Sequence, residues 1–186
     1  SLQLQMTNLF ESAYQGGPAV DVLSASGNQT AALPKLTSHW TKTYDKAVRT
    51  NVYAVAQPSP NARLVMPNHD KKMLGLTQRY LVLQLFLPAE DADDLRKQRP
   101  LSLELAVSDA AKHRRRLLFS TSFAELKKTP LHARIPLPSV PRGVWVHLAL
   151  DLVDLVGHSF AGVSFARLDA LAPRAACPLR RIYAPR

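Results

Sequence analysis

Apolar residues in this chain recur at every second position, in short runs cut by Pro, Gly and Asn, and that pattern admits few folds. Leu101-Ser102-Leu103-Glu104-Leu105-Ala106-Val107 alternates almost without a break, and Val144, Val146, Leu148, Leu150 and Leu152 share one face of a later run. A period of two puts alternate side chains on one side of an extended strand, so each run reads as a strand with one face in a core. Tyr80-Leu81-Val82-Leu83-Gln84-Leu85-Phe86-Leu87 is apolar at nearly every position, as expected of a central strand covered on both faces. The helical period is nearly absent, which excludes parallel α/β folds, whose crossovers are helices.

Further strands are expected over residues 19–23, 47–56, 61–66, 114–120, 132–137, 163–171 and 179–184. Pro58 and Pro60 break the chain before the 61–66 return strand, residues 67–72 form a polar loop, and Ser108-Asp109 marks a hairpin turn. Pro136 and Pro138 place the 132–137 strand at a sheet edge, because proline has no N–H for a second neighbour. Residues 90–99, four acids followed by three bases, read as a solvated loop or one short helical turn. Residues 151–156 also fit one helical turn, ending before Gly157. About ten short strands with at most one or two short helices imply an all-β fold, a single antiparallel β-sandwich of jelly-roll type. The length of 186 residues, with no linker composition inside it, suits one domain.

The formal charge is +10, which points to an acidic partner. The excess is localised: residues 112–142 hold eight basic residues against Glu125, and residues 167–186 hold five Arg against Asp169. No run of about 18 apolar residues appears, so membrane insertion is not expected. The N-terminal sequence has neither the charged nor the apolar region of a signal peptide, and Cys177 is the single cysteine, so no intramolecular disulfide forms. Both features predict a chain that is not secreted.

The residues suggest no enzyme chemistry, and no catalytic, cofactor-binding or metal-binding residue is assigned. Gly157-His158-Ser159-Phe160-Ala161-Gly162 approaches the nucleophile-elbow pattern, but its second Gly falls one position late and the strand-to-helix unit it needs is not expected. It reads as a Gly-bounded loop. The six histidines include no pair at the i, i+4 spacing of a helical metal site. No Gly-rich phosphate loop occurs, and Cys177 reads as a small buried side chain.

What remains is Arg114-Arg115-Arg116, Lys127-Lys128 and Arg180-Arg181, taken as candidate partner-binding residues of a basic surface. On a strand Arg114 and Arg116 share one side while Arg115 faces the other, so one member of the run can be structural. Such charges also serve as a solvated edge that discourages aggregation. A functional surface would meet an acidic protein or nucleic acid; Phe119, Phe123 and Tyr183 are too few near the basic runs for a base-stacking platform. A carbohydrate site on a jelly roll would use exposed aromatics, for which Trp40 and Trp145 are the candidates.

Several segments in order resemble the cilia- and flagella-associated protein 20 family. They are Trp40 with Tyr44-Asp45-Lys46, then Leu74-Gly75-Leu76-Thr77-Gln78-Arg79-Tyr80, then Val107-Ser108-Asp109 before the arginine run. Thr129-Pro130-Leu131-His132-Ala133, Trp145 leading into Leu150-Asp151-Leu152, and Cys177 with Arg180-Arg181-Ile182-Tyr183 follow. Tyr14-Gln15-Gly16-Gly17 and Ile135-Pro136-Leu137 make the chain most similar to the N-terminal domain of a larger member. The resemblance implies a jelly-roll β-sandwich, a non-enzymatic role in the cilium or flagellum at the axoneme or basal body, and tubulin or another axonemal protein as partner. It also implies Met6 as the natural start, with Ser1 to Gln5 an added remnant, and residues 6–186 as the front part of a longer protein.

Overall fold

The computed structural model describes residues 7–8, 18–26, 40–55, 63–68, 71–89, 100–137, 139–174 and 177–185. The strands are β1 (Thr7–Asn8), β2 (Ala19–Ser24), β3 (Trp40–Asp45), β4 (Thr50–Val55), β5 (Lys72–Met73), β6 (Tyr80–Phe86) and β7 (Ser102–Asp109). They continue with β8 (Arg114–Ser120), β9 (Lys127–Lys128), β10 (His132–Pro136), β11 (Trp145–Asp151), β12 (Phe165–Arg174) and β13 (Leu179–Pro185); α1 (Leu152–Ser159) follows β11. The expected loop or helical turn at residues 90–99 lies outside the described residues, as do residues 61–62 and Pro138.

Two sheets form the sandwich, a five-stranded one in the order β12-β7-β8-β10-β9 and a six-stranded one in the order β11-β6-β13-β4-β3, with β2 also paired to β13. Strands far apart in sequence lie side by side, β12 on β7 and β13 on β6, as a jelly-roll type of sandwich requires. One core cluster joins the layers, with Leu105, Leu117, Phe119 and Leu168 from one sheet and Tyr53, Leu83, Leu85 and Ile182 from the other. β6 is the inner strand its composition predicts. It runs between β11 and β13, and Leu81 through Leu85 are all buried.

Pairing is antiparallel except between β10 and β8 and between the two-residue β1 and β5, which are parallel. After β8 the chain skips one strand position to form β9, then turns back, so β10 fills the gap running parallel to β8. The all-β sandwich expected of the sequence is thus antiparallel in the main, with one parallel pair inside its five-stranded sheet. The place of β10 corrects the edge position expected of residues 132–137, because β9 covers Ala133 and Arg134. Pro136 lies past the end of β9, where its missing N–H costs no ladder bond.

The 47–56 strand starts later than expected. Asp45 Oδ1 accepts from the N–H groups of Ala47 (2.8 Å) and Val48 (3.1 Å), and Arg49 has φ of 52°, so residues 46–49 turn and β4 begins at Thr50. Its partner β3 carries little apolar alternation, since four of its six residues are exposed. The expected 61–66 strand is instead an extended strap on the free edge of β12. Met66 and Leu171 exchange 2.9 Å hydrogen bonds, while Leu64 donates to Pro173, which has no N–H to return.

β11 passes directly into α1, whose N-terminus is capped by Asp151 accepting from Asp154 N–H at 3.1 Å. The helix continues through Gly157 to Ser159, so these residues are not the loop expected of them, and Ser159 is buried in its last turn. Asp151 also receives a two-pronged contact from Arg79, with Nε at 3.0 and 2.9 Å from its two oxygens and Nη2 at 2.6 Å.

Candidate functional site

The alternation of β8 sorts its arginines. Leu117 and Phe119 fill the core, so Arg115, on the same side of the strand, must also turn inward. There it meets Asp109, a 4% exposed carboxylate at the end of β7, with Nη2 at 2.7 Å and Nε at 2.9 Å. The same guanidinium lies 5.1 Å from the centre of the Phe160 ring and donates to the carbonyl of Pro130. Burial alone would raise the Asp109 carboxyl; the Arg115 hydrogen bond and the N–H of His113 outweigh it and hold the group below its ordinary range. Arg115 is thereby committed to an internal ion pair.

Arg114 and Arg116 point outward from the five-stranded sheet, and the register shows what joins them. Arg116 lies opposite His132 of β10 and Leu118 opposite Arg134, while Arg134 faces Lys127 of β9. Side chains directly opposite in a sheet stand on the same face. Arg114, Arg116, His132, Arg134 and Lys127 therefore share one outer surface. Arg134 stacks 4.3 Å above the Phe123 ring.

The neighbouring strands deepen this surface. The outer positions of β7 and β12 include the small residues Ala106, Ala170 and Ala172, and a groove of about 330 Å³ opens there between the Arg63–Val65 strap and the Arg114, Arg116 and His132 wall. Glu104 stands in this groove. Its carboxylate is 2.9 Å from Arg63, 3.1 Å from Arg116 and 3.7 Å from Arg174.

Lys128, Arg180 and Arg181 lie off this surface. Lys128, opposite buried Ala133, reaches the carbonyl of His158 at 3.3 Å, where a cation meets the negative end of α1. Lys127 pairs with Glu125 at 3.1 Å, both well exposed, a contact of little energetic weight. Arg180 and Arg181 belong to β13 of the six-stranded sheet. Arg181 binds Asp21 of β2 at 2.5 Å and stacks 4.3 Å from the Tyr183 ring. The second basic segment of the sequence thus divides between the layers, with Arg167 and Arg174 on the five-stranded sheet beside the first segment and Arg180 and Arg181 on the six-stranded one.

The model of the CFA20 domain matches residues 9–185. The chain belongs to the CFA20-domain family. The family is one of cilia- and flagella-associated proteins, and the match agrees with the segments that carried the resemblance.

In this CFA20 domain Trp40 is a core residue at 3% exposure, which removes it as a carbohydrate platform. Trp145 is half-buried against Phe86, ring centres 5.7 Å apart. Cys177 is buried, and burial pushes its thiol up to about 12. No helix among the described residues is long and apolar enough to cross a membrane. Sequence reasoning overlooked Arg63, Glu104, Arg134 and Arg174. Arg134 carried a usable signal, two residues from His132 in an alternating run; Arg63 carried none, since only the strap brings it to the sheet.

Proposed function

We propose that this CFA20 domain is a non-enzymatic interaction module of the cilium or flagellum. It docks on axonemal or centriolar microtubule structures, tubulin or a microtubule-associated protein, through the outer face of its five-stranded sheet. One observation carries the reading: Arg114, Arg116, Arg134 and Lys127 stand on a single face beside Arg63 and Arg174, six cations against the acids Glu104 and Glu125 that pair with them. The microtubule surface is acidic, and complementary charge of this kind steers encounter and fixes orientation.

A protein partner is favoured over nucleic acid by the aromatic side chains. Phe119 is in the core, and the Arg134 guanidinium lies over the Phe123 ring, so Phe119 offers no face to an unpaired base and Phe123 at most one. Co-sedimentation with microtubules at low and high salt tests the proposal. Binding at low salt that falls away as the Debye length shrinks supports it. Absence of sedimentation at low salt would remove it.

A further inference from the structure

We infer that the groove over β7 and β12 binds an extended acidic peptide that carries carboxylates at alternate positions. The inference rests on the docking reading, and it names what that face receives. The floor is made of Ala106, Ala170 and Ala172, where longer side chains would otherwise fill the pleat and leave a flat surface. Glu104, with a side chain only 14% exposed, already shows that a carboxylate fits, since it lies within 3.1 Å of two guanidinium groups.

One carboxylate leaves most of that donor capacity unused. Each guanidinium has five N–H groups, and the side chains of Arg63, Arg116 and Arg174 remain 35%, 56% and 53% exposed. Arginine in this state forms paired, charge-assisted bonds to further carboxylates. Spacing then selects an extended peptide over an isolated anion. Arg114 and Arg116 are two residues apart on β8, so their side chains emerge about 6.7 Å apart, the repeat of alternate side chains in another extended chain.

The test measures fluorescence anisotropy of a labelled decapeptide of alternating Glu and Ser with the intact domain at low salt. The controls are the Gln-Ser counterpart and inorganic phosphate as competitor. Ala170→Leu fills the groove floor without changing charge, and Ala106→Leu does so from the facing strand; thermal melts show which variant is folded. The expected result is saturable binding of the Glu peptide, weakened at least tenfold in the folded variant and at least tenfold for the Gln peptide. Binding unchanged by filling the groove overturns the inference, as does displacement by phosphate at an equal concentration of anionic groups. Retained microtubule sedimentation with no peptide binding defeats the groove alone, and peptide binding without sedimentation defeats the docking reading alone.

Discussion

The Arg115 guanidinium lies 2.7 Å from the carboxylate of Asp109, which has only 4% of its side chain exposed. The pair explains why three consecutive arginines do not make a three-arginine surface. Strand geometry sends the middle side chain toward the core, and a buried carboxylate six residues back in the chain receives it. The charge that a sequence count assigns to the basic run is thus partly consumed inside the domain.

Removing Arg115 takes the guanidinium partner from the buried Asp109 and leaves it only the contacts of His113, so Arg115→Met is expected to destabilise the domain by about 3 kcal/mol. Arg114→Met deletes the same charge from an exposed position and is expected to stay within about 0.5 kcal/mol. Urea unfolding of the two variants compares them directly. Equal losses would contradict the assignment of Arg115 as structural and Arg114 as surface.

Acid should act through two carboxyls, Asp151 and Asp109, both held below the ordinary value of 3.8. At Asp151 the Arg79 hydrogen bond is the largest influence and exceeds burial. At Asp109 burial is the largest influence and opposes the shift, but Arg115 and His113 together exceed it. A carboxyl with a depressed folded value contributes stability that is complete above its unfolded value and lost as pH falls through the folded one. Urea midpoints should therefore decline from about pH 4 downward, and Arg79→Met should make that decline shallower. An unchanged acid slope in the variant would contradict the role given to Arg79.

Cys177, buried with its thiol near 12, should resist alkylation in the folded protein and react once urea unfolds it, because the thiolate is the reacting form. Mass spectrometry after iodoacetamide treatment at about pH 8 reads both states. Rapid labelling without denaturant would show that the site is open.

The strands most legible in the sequence were those whose burial differs between their two faces. β7, β8 and β11 alternate because one side meets the core, and β6 loses alternation because both sides are covered. β3 escaped notice because most of its residues are exposed, and it pairs with β4 through backbone bonds that leave no apolar pattern. The candidate site was legible as a charge run but not as a surface. Whether Arg115 points in, whether Lys128 reaches α1 and whether Arg63 arrives beside Glu104 depend on register and on a distant strap, which local periodicity does not encode.

If one face, and not net charge, meets the microtubule, charge reversals should act according to the sheet they stand on. The most direct measurement compares co-sedimentation of Arg114→Glu, Arg116→Glu, Lys127→Glu and Arg134→Glu combined with that of Arg180→Glu and Arg181→Glu combined, each against the parent domain at low salt. The first set, on the five-stranded sheet, is expected to abolish binding, while the second, on the six-stranded sheet, retains most of it. Equal loss per charge from either set, or undiminished sedimentation of the first, would contradict that expectation.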